Sequence, residues 1–477
     1  MPFLPVPLAT DVLLWLLVAA LAGYGWYCRR RPHLAAPWRR VFQSKAAMAC
    51  SVVLGCYVII GLADSLHFRV RLQGVEGASA AAYSPEVLSL LDLPLTRLRE
   101  RREKTYSAPL ATRLYAKEQV ELAEGKTTRE FPRLRYGGAH LGDESQWPGD
   151  MTWNVVLGLA IAAILATIAY LGARRLERRR PEIPWRAAAL ALTAVLIMAL
   201  PAILLARGYH VLGTDKVGQD VLYQSMKSIR VSLIIGTLTT LVLLPFGAAL
   251  GVMAGYFRGW VDDAIQYLYT TLNSIPGVLL IAAFVLMLQV VMERNAEFFP
   301  TAAHRADVRL LALCAILGLT SWTGLARLLR GEALKLSQLE FIQAAHAFGV
   351  SDARVLSRHI LPNVAHIIII TLVMDFSGLV LAEAVLSYVG VGVDPATTSF
   401  GTMINAARLE MGRDPIVWWS LAAALTNCRV DVATPHKCCR KFRATRSPCR
   451  IDRARPNISR TDSLGPTSIP SDRMISI

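Results

Sequence analysis

Charged residues are scarce in this sequence, and that scarcity excludes most soluble folds. Only 18% of the 477 residues are Asp, Glu, Lys or Arg, whereas 54% are hydrophobic, and the mean hydropathy is +0.40. Ordinary soluble domains carry about 25% charged residues. The composition is typical of a protein that crosses a membrane several times.

The chain also lacks the residue patterns of an enzyme. The Gly-Lys-Thr of 125–127 invites a phosphate-loop interpretation, but Val120 occupies the position of the motif's first glycine. No Ser/His/Asp or paired-carboxylate arrangement emerges. His346, His359 and His366 are not spaced as ligands of one metal. We therefore predict a chain without catalytic residues, cofactor, metal or ATP site.

Long apolar runs dominate instead. About 20 apolar residues suffice to cross a bilayer as a helix. The sequence predicts an all-α, polytopic membrane protein with a ninth span that begins near residue 415. The first eight predicted spans are 9–27, 44–63, 152–173, 185–206, 231–256, 264–291, 309–328 and 363–390.

Arginine clusters orient these spans. One cluster, at 29–45, follows the first span, and a second, at 174–186, follows the third. Basic clusters beside spans mark the cytoplasmic side, and this is a better account of them than nucleic-acid binding. No basic residue precedes the first apolar core, so it is not a typical cleavable signal. The alternation then places 64–150 and 207–230 outside and 329–362 in the cytoplasm.

Five segments follow from this order. Residues 1–63 hold two membrane helices, 64–150 form an external insert, 151–206 hold two further helices, 207–426 form one membrane domain, and 427–477 form a basic tail. The insert has no cysteine, which argues against a disulfide framework there. Ser84-Pro85-Glu86 is typical of a helix start, and the composition predicts helices at 85–104 and 109–124.

The end of the chain is anomalous. The last apolar run, 416–426, is followed by a tail with eleven Lys or Arg and four Asp. Eleven residues rise only about 16 Å as a helix, roughly half of the hydrocarbon core. Our hypothesis is a final helix cut short by an altered reading frame, which resequencing near codon 427 would test. His436, Cys438 and Cys439 match no zinc spacing.

One cytoplasmic loop is shaped rather than merely polar. The stretch QAAHAFGVSDARVLSRHILPN, residues 343–363, predicts a short helix over 343–348 that is capped by Gly349. Ser351 or Asp352 can cap a second short helix, which Pro362 is expected to end. Both helices have apolar faces, at Phe341, Ala344, Ala345 and Phe348 and at Val355, Leu356 and Ile360. We call 340–363 the elbow and expect a partner to dock on it.

Two outer loops and two acidic residues are further candidates. Asp215 and Asp220 can cap turns in 210–233, where an apolar stripe predicts an interfacial helix leading into the next span. Residues 387–402 predict an irregular external loop. Asp375 and Glu383 lie inside the 363–390 span, where acids usually face a pathway or a partner. They are either translocation residues or buried hydrogen-bonding groups.

Three blocks resemble the permease subunit of ABC importers of the dipeptide, oligopeptide and nickel class. HVLGTDKVGQDVL is similar to the family's external block. The stretch SWTGLARLLRGEALKLSQL, together with the elbow that follows it, is similar to the family's cytoplasmic motif loop. AEAVLSYVGVGVDPATTSFG is similar to the stretch after the family's fifth core helix. They follow in the family's order over nearly half of the chain. Gln343 stands where the family has its motif glutamate and Gln219 where it usually has arginine.

The resemblance implies a type I importer bundle with additional N-terminal helices and an insert. It implies cytoplasmic ATPase subunits, a homologous permease and a periplasmic solute-binding protein as partners, and a peptide as substrate. The residues implied at the ATPase contact are Gln343, Ala344, Ala345, Gly349, Asp352, Leu361 and Pro362. Those implied at the external gate or receptor contact are Gly213, Thr214, Asp215 and Asp220. The location implied is the bacterial cytoplasmic membrane.

Two alternatives from other classes stay open. A proton-coupled carrier would use Asp375 and Glu383 and would transport without ATP, although the inverted repeats typical of such carriers are not evident. A membrane sensor or scaffold would depend on the insert 64–150 and tolerate changes in the elbow. The shaped elbow favours the importer over both.

Overall fold

The computed structural model describes residues 3–71, 83–84, 86–121, 127–295, 297, 301–412 and 415–427. The predicted tail, with His436, Cys438 and Cys439, and the Gly-Lys pair at 125–126 lie outside the described residues. Eight helices of the described part are long and apolar enough to cross a membrane, which confirms the polytopic all-α prediction. The helices are α1 (Ala9–Arg30), α2 (Pro32–Gln43), α3 (Lys45–Asp64), α4 (Asp92–Glu100), α5 (Trp147–Arg179), α6 (Trp185–Leu205), α7 (Val221–Phe257), α8 (Gly259–Ser274), α9 (Gly277–Arg294), α10 (Ala302–Leu336), α11 (Glu340–Ala347), α12 (Asp352–Val355), α13 (Leu361–Val389) and α14 (Phe400–Glu410).

The predicted span 264–291 is wrong as a single helix. The chain breaks between α8 and α9 at Ile275, which is extended, with φ −89° and ψ 127°. Pro276 causes the break, because its ring disfavours helical backbone at the residue before it. Beyond α14, the last described helix covers 419–427, within the short apolar run predicted there.

The centre of the bundle is the pair α7 and α10. Gly247, Gly251 and Gly255 form a stripe on α7 with a spacing of four residues. A Cβ at Gly251 would lie 2.6 Å from the carbonyl oxygen of Ala326 on α10. Small residues at this spacing allow two helix backbones to approach closely within a membrane. Leu325 and Leu329 of α10 are fully or almost fully buried against this contact.

The additional helices form a unit beside this pair. α5 and α6 pack along each other, and α6 reaches the core mainly through α3. Gly158 of α5 fits against Pro201 of α6, where a Cβ would lie 2.7 Å from the proline Cα. Most of the outward surface of α5 is apolar and exposed, as lipid contact requires.

The insert is not mainly helical, which corrects the sequence prediction. Between α3 and α5 its described part contains one α-helix, α4, which starts at Asp92 rather than at 84–86. In the described part of the predicted helix over 109–124, residues 109–117 are irregular and residues 118–121 form a strand. Strand β1 (Phe3–Pro5) pairs with β2 (His67–Val70), which pairs with β3 (Leu88–Ser89), and β4 (Glu118–Glu121) pairs with β5 (Thr127–Glu130), all antiparallel. Backbone pairing with remote segments, such as Arg113 with Arg133, overrides the helical composition.

Candidate functional site

The elbow begins as predicted, with a helix closed by glycine. α11 ends in a Schellman arrangement, in which the Gly349 N–H donates to the carbonyl of His346 at 2.9 Å and the Val350 N–H to that of Ala345 at 3.1 Å. Gly349 has φ +71°, a conformation that is cheap only for glycine. This turn fixes the angle at which the chain leaves α11.

The second part of the elbow is not a separate helix, and Pro362 does not end it. Ser351 takes the N-cap position without a side-chain cap bond, and a π-helical turn over 356–360 joins α12 to α13. Helical backbone therefore runs without a break from Asp352 to Val389. A π turn widens the helix by one residue, which relieves the conflict between the proline ring and the preceding turn. The elbow is thus continuous with a membrane span.

One face of the elbow is buried against the bundle. Ile342, Val355 and Ile360 have no exposed surface and lie in a cluster with Leu329 and Ala333 near the C-terminal end of α10. Ala345 is also buried, so it supports the elbow from below instead of contacting a partner in this conformation. Full burial of several aliphatic side chains holds the elbow rigidly, at about 1.5–3 kcal/mol each.

Polar contacts tie the elbow to α7. The Tyr256 hydroxyl, at the end of α7, donates to Oδ1 of Asp352 at 2.7 Å and lies 2.8 Å from Nε2 of His346. The rings of Tyr256 and His346 are stacked, with centroids 5.7 Å apart. Asp352, predicted as a docking residue, therefore also anchors the elbow. Sequence reasoning missed Tyr256, because no local pattern links it to a loop 90 residues away.

The opposite face of the elbow is exposed and partly apolar. Phe348 is 86% exposed, the most of any large hydrophobic residue described, and Phe341 and Leu361 are 46% and 41% exposed. The predicted docking residues Gln343, Ala344, Gly349 and Pro362 are exposed as well. The Gln343 side chain donates only to the backbone carbonyl of Gln338, at 3.2 Å. We call this surface the docking face.

An ion pair joins α8 to α10 beneath the elbow. Arg330 of α10 binds Asp262 of α8 through two parallel N–H groups, at 2.5 and 2.6 Å. The Arg258 guanidinium donates to the hydroxyl of Ser337 at 2.9 Å, which joins the α7–α8 corner to the end of α10. Bidentate arginine–carboxylate pairs fix geometry better than single contacts do. Motion of the docking face would therefore carry α8 and α10 with it.

At the other end of the bundle, the predicted gate residues lie beneath the insert. Asp220 caps α7 by accepting from the N–H of Leu222 at 2.8 Å and of Tyr223 at 3.3 Å, as the sequence predicted. Its other oxygen contacts Nδ1 of His210 at 2.8 Å, and Nε2 of that ring lies 3.4 Å from Glu103 of the insert. All three charged side chains are nearly or fully buried.

The pKa values of this cluster follow from its geometry. Burial alone would lower the pKa of His210, but the hydrogen bonds that its ring donates to Asp220 and Glu103, and the negative charges of these carboxylates, raise it to about 9. Burial likewise opposes ionisation of Glu103, yet the bonds from His210 and from the N–H groups of Arg135, Tyr136 and Gly137 lower its pKa to about 2. An imidazolium therefore lies between two carboxylates at neutral pH.

Thr214, Gly213 and Gly218 also contact the insert. The Thr214 hydroxyl donates to the carbonyl of Thr105 at 2.9 Å and accepts from the N–H of Ser107 at 2.7 Å. A Cβ at Gly213 or Gly218 would collide with the insert backbone, and both have positive φ. Thr214 and Asp220 have no exposed surface, so neither can touch a receptor in this conformation. A gate role for Gly213, Thr214, Asp215 and Asp220 stays a prediction.

The two acids of α13 differ in their surroundings. Glu383 is fully buried, and its Oε1 accepts from the hydroxyls of Ser387 at 2.8 Å and Ser399 at 2.9 Å. It ties the end of α13 to the start of α14, which matches the expectation of a buried hydrogen-bonding group. Asp375 is half-buried, two turns away. A pathway role for either residue stays a prediction.

Comparison with known proteins gives this geometry a context. Residues 247–426 match the family model described as binding-protein-dependent transport system inner membrane component. This segment includes the glycine stripe of α7, the elbow and α13. The match thus falls on the elements that build the cytoplasmic docking face.

Individual relatives agree with the family model. The chain is 33% identical over 219 residues to the glutathione transport system permease protein GsiD of Pectobacterium atrosepticum, which covers 46% of this chain and 67% of the relative. It is 33% identical over 195 residues to the oligopeptide transport system permease protein OppC of Mycobacterium bovis, and 30% identical over 196 residues to the dipeptide transport system permease protein DppC of Lactococcus lactis. Those two matches cover 41% of this chain and 62% and 52% of the relatives.

The matches span little more than half to two thirds of those relatives and less than half of this chain. The first part of the chain, with the insert and the pair α5 and α6, lies outside the family match. The family match covers the end of α7 from residue 247, all of α10 and the elbow. The chain is a multi-pass protein of the inner membrane, and it belongs to the family of binding-protein-dependent transport system inner membrane components.

Proposed function

We propose that this chain is the transmembrane permease subunit of an ATP-driven importer for peptides. In this proposal the chain carries no chemistry of its own. Separate ATPase subunits bind the docking face, a homologous permease completes the pathway, and a periplasmic solute-binding protein delivers the substrate. The observation that carries the proposal is an exposed apolar face on a rigid elbow that is continuous with a membrane span.

The elbow has the mechanical properties that coupling requires. Its buried face and the contact of Tyr256 with Asp352 prevent it from flexing alone. Because α12 continues into α13, a displacement of the docking face is transmitted directly to a membrane helix. Closure of an ATPase pair could then bias the bundle between two states, each with its own affinity for the ATPase.

Phe348 is the expected anchor of the ATPase contact. A phenylalanine that is 86% exposed in the free subunit has most of its apolar area available for burial by a partner. Burial of such a side chain contributes about 1.5–3 kcal/mol. Aromatic anchors at the centre of an interface commonly dominate its binding energy.

The peptide class of the substrate rests on the relatives alone. The three named relatives are permeases for oligopeptides, dipeptides and glutathione, which is itself a short peptide. No contact in the described structure distinguishes among such substrates. We therefore propose peptides as a class and no particular peptide.

Crosslinking tests the ATPase contact. A cysteine at Ala347, in a background without native cysteines, should crosslink to a co-expressed peptide-importer ATPase, and ATP should weaken or shift the crosslink. Phe348→Ala should reduce crosslinking and ATPase stimulation about tenfold or more, since tenfold corresponds to 1.4 kcal/mol. Phe131→Ala, an exposed phenylalanine of the insert, is the matched control.

Two results would contradict the proposal. Equal crosslinking by the Phe348→Ala and Phe131→Ala proteins would show that the docking face is not the ATPase contact. Uptake that persists without ATP, driven by a proton gradient, would favour the carrier alternative. A folded, membrane-inserted protein and a working peptide permease as positive control are needed in either case.

A further inference from the structure

A crevice opens at the outer end of the bundle between α6, α7 and the insert helix α4. It has a volume of about 550 Å³. The crevice exists because α6 packs mainly on α3 and α5 and diverges from α7. Apolar side chains form most of its wall: Leu95 and Leu98 of α4, Ala202 and Ile203 of α6, and Leu222 and Met226 of α7.

Two arginines stand at this crevice. Arg97 of α4 and Arg207, just after α6, both line it and are both exposed. Neither side chain forms an ion pair with a residue in the described part of the chain. Their neighbours differ: Arg99 is paired with Glu86, and Arg101 donates to the backbone carbonyl of Arg207 at 2.6 Å. The crevice therefore presents two uncompensated guanidinium groups beside an apolar slot.

The position of the crevice points to the membrane. α6 begins beside the cytoplasmic arginine cluster at 174–186 and has 21 residues, which rise about 31 Å. Its last two turns therefore lie at the outer boundary between acyl chains and headgroups. Met198 and Ile203 near this end of α6 are 79% and 56% exposed, as apolar side chains that face lipid are.

We propose that this crevice binds an anionic glycerophospholipid of the outer leaflet. An acyl chain would lie in the apolar slot, and the phosphate would accept hydrogen bonds from Arg97 and Arg207. Planar guanidinium groups match phosphate oxygens in geometry and charge. A cavity of several hundred Å³, mostly apolar with a few converging polar groups, is the usual form of a small-ligand site.

Such a lipid would act as a wedge between the additional helices and the permease core. It would contact α4, α6 and α7 at once, where α6 and α7 do not pack closely. The insert would then be joined to the bundle both by the cluster around His210 and by a bound lipid. This inference does not depend on the transported substrate or on the ATPase.

Native mass spectrometry of the full chain tests the proposal. Delipidated protein in detergent is titrated with phosphatidylglycerol or phosphatidylcholine, and the lipids that survive activation are counted. We expect the wild type to retain one phosphatidylglycerol in preference to phosphatidylcholine. The double variant Arg97→Gln and Arg207→Gln should lose about tenfold in affinity for it, since bonds to charged groups are the stronger kind. Ala202→Trp should fill the slot and abolish retention with both arginines present.

The matched control is Arg129→Gln, an exposed arginine of strand β5 that does not line the crevice. It should retain phosphatidylglycerol as the wild type does, and the cytoplasmic arginine clusters contribute equally to every variant. Undiminished retention by the double arginine variant or by Ala202→Trp overturns the proposal. Displacement of the lipid by an excess of glycerol 3-phosphate also overturns it, because the site would then bind a free phosphate rather than a lipid.

Discussion

Removal of the Glu103 carboxylate should loosen the insert around His210, while the contacts of Thr214 with Ser107 and of Asp92 with Lys227 continue to hold it to the core. Its oxygens accept from the backbone N–H groups of Arg135 at 2.9 Å, Tyr136 at 2.8 Å and Gly137 at 3.1 Å, and contact His210 at 3.4 Å. Glu103→Ala would remove the acceptor of the three backbone N–H groups and of Nε2 of His210, while Nδ1 of that ring keeps Asp220. Among the described side chains of the insert, no other one binds three backbone N–H groups of the insert and also contacts a side chain of the membrane domain.

The expected cost follows from these contacts. A buried donor without a partner costs about 1–3 kcal/mol, and such costs are not additive because water enters the opened site. We expect Glu103→Ala to lower the free energy of local opening of the insert by about 4 kcal/mol in total. It would raise the population of locally opened insert roughly a thousandfold, since each 1.4 kcal/mol is a factor of ten.

Limited trypsin digestion measures this opening directly. Arg133 and Arg135 of the insert are exposed, but the peptide bonds that follow them are held, because the N–H of Leu134 donates to the carbonyl of Thr112 and the N–H of Tyr136 to Glu103. Cleavage there therefore requires local opening. The rate of cleavage there should rise steeply in Glu103→Ala, and Glu103→Gln should lie between it and the wild type because the amide keeps one acceptor. Glu100→Ala, an exposed glutamate of α4, is the control. Cleavage of Glu103→Ala at the wild-type rate would refute the reasoning.

Three further predictions concern charge. The pKa of His210 is raised from 6.5 to about 9, so its contribution to stability is complete below pH 6.5 and is lost as the pH rises through 9. The pKa of Glu103 is lowered from 4.5 to about 2, so its contribution to stability is complete above pH 4.5 and is lost as the pH falls towards 2. Trypsin cleavage of the insert should thus be slow near pH 6 and rise steadily above it, and a flat profile between pH 6 and 9.5 would contradict this. Gln343→Glu restores the charge of the family motif and should strengthen ATPase stimulation; an unchanged stimulation would show that the charge is not used. Asp375→Asn should leave ATP-driven uptake largely intact, whereas a proton-coupled carrier would lose uptake altogether.

Short-range features of the elbow and of the start of α7 were predictable from the sequence. Gly349 closes α11 with a positive φ because a single residue without a Cβ satisfies the turn. Asp220 caps α7 because its carboxylate reaches N–H groups only two and three residues away. In both cases the partners are close along the chain. Local rules therefore decide the conformation, whatever the rest of the bundle does.

Predictions failed where a partner distant in the sequence or a π-helical turn determined the local conformation. Pro362 stays within a continuous helix because the π turn at 356–360 accommodates its ring. The 109–124 segment has helical composition, yet its described part, 109–121, is not helical, and Arg113 in it forms a bridge with the remote Arg133. The face predicted on α11 was right at Phe341, Ala344 and Phe348, which are exposed, but it included Ala345, which is buried against the bundle.

The sequence by itself determined the membrane class, most of the spans and the presence of a shaped elbow, whereas the orientation of the spans stays a prediction. These depend on apolar run length, arginine placement and bonds between near neighbours, which the order of residues specifies directly. Only the tertiary structure decided that Glu103 and His210, 107 residues apart, form one buried cluster, and that Phe348 faces outward. Those outcomes depend on which surfaces meet, and a buried charge or an exposed aromatic ring acquires its role only from the groups that pack around it or leave it free.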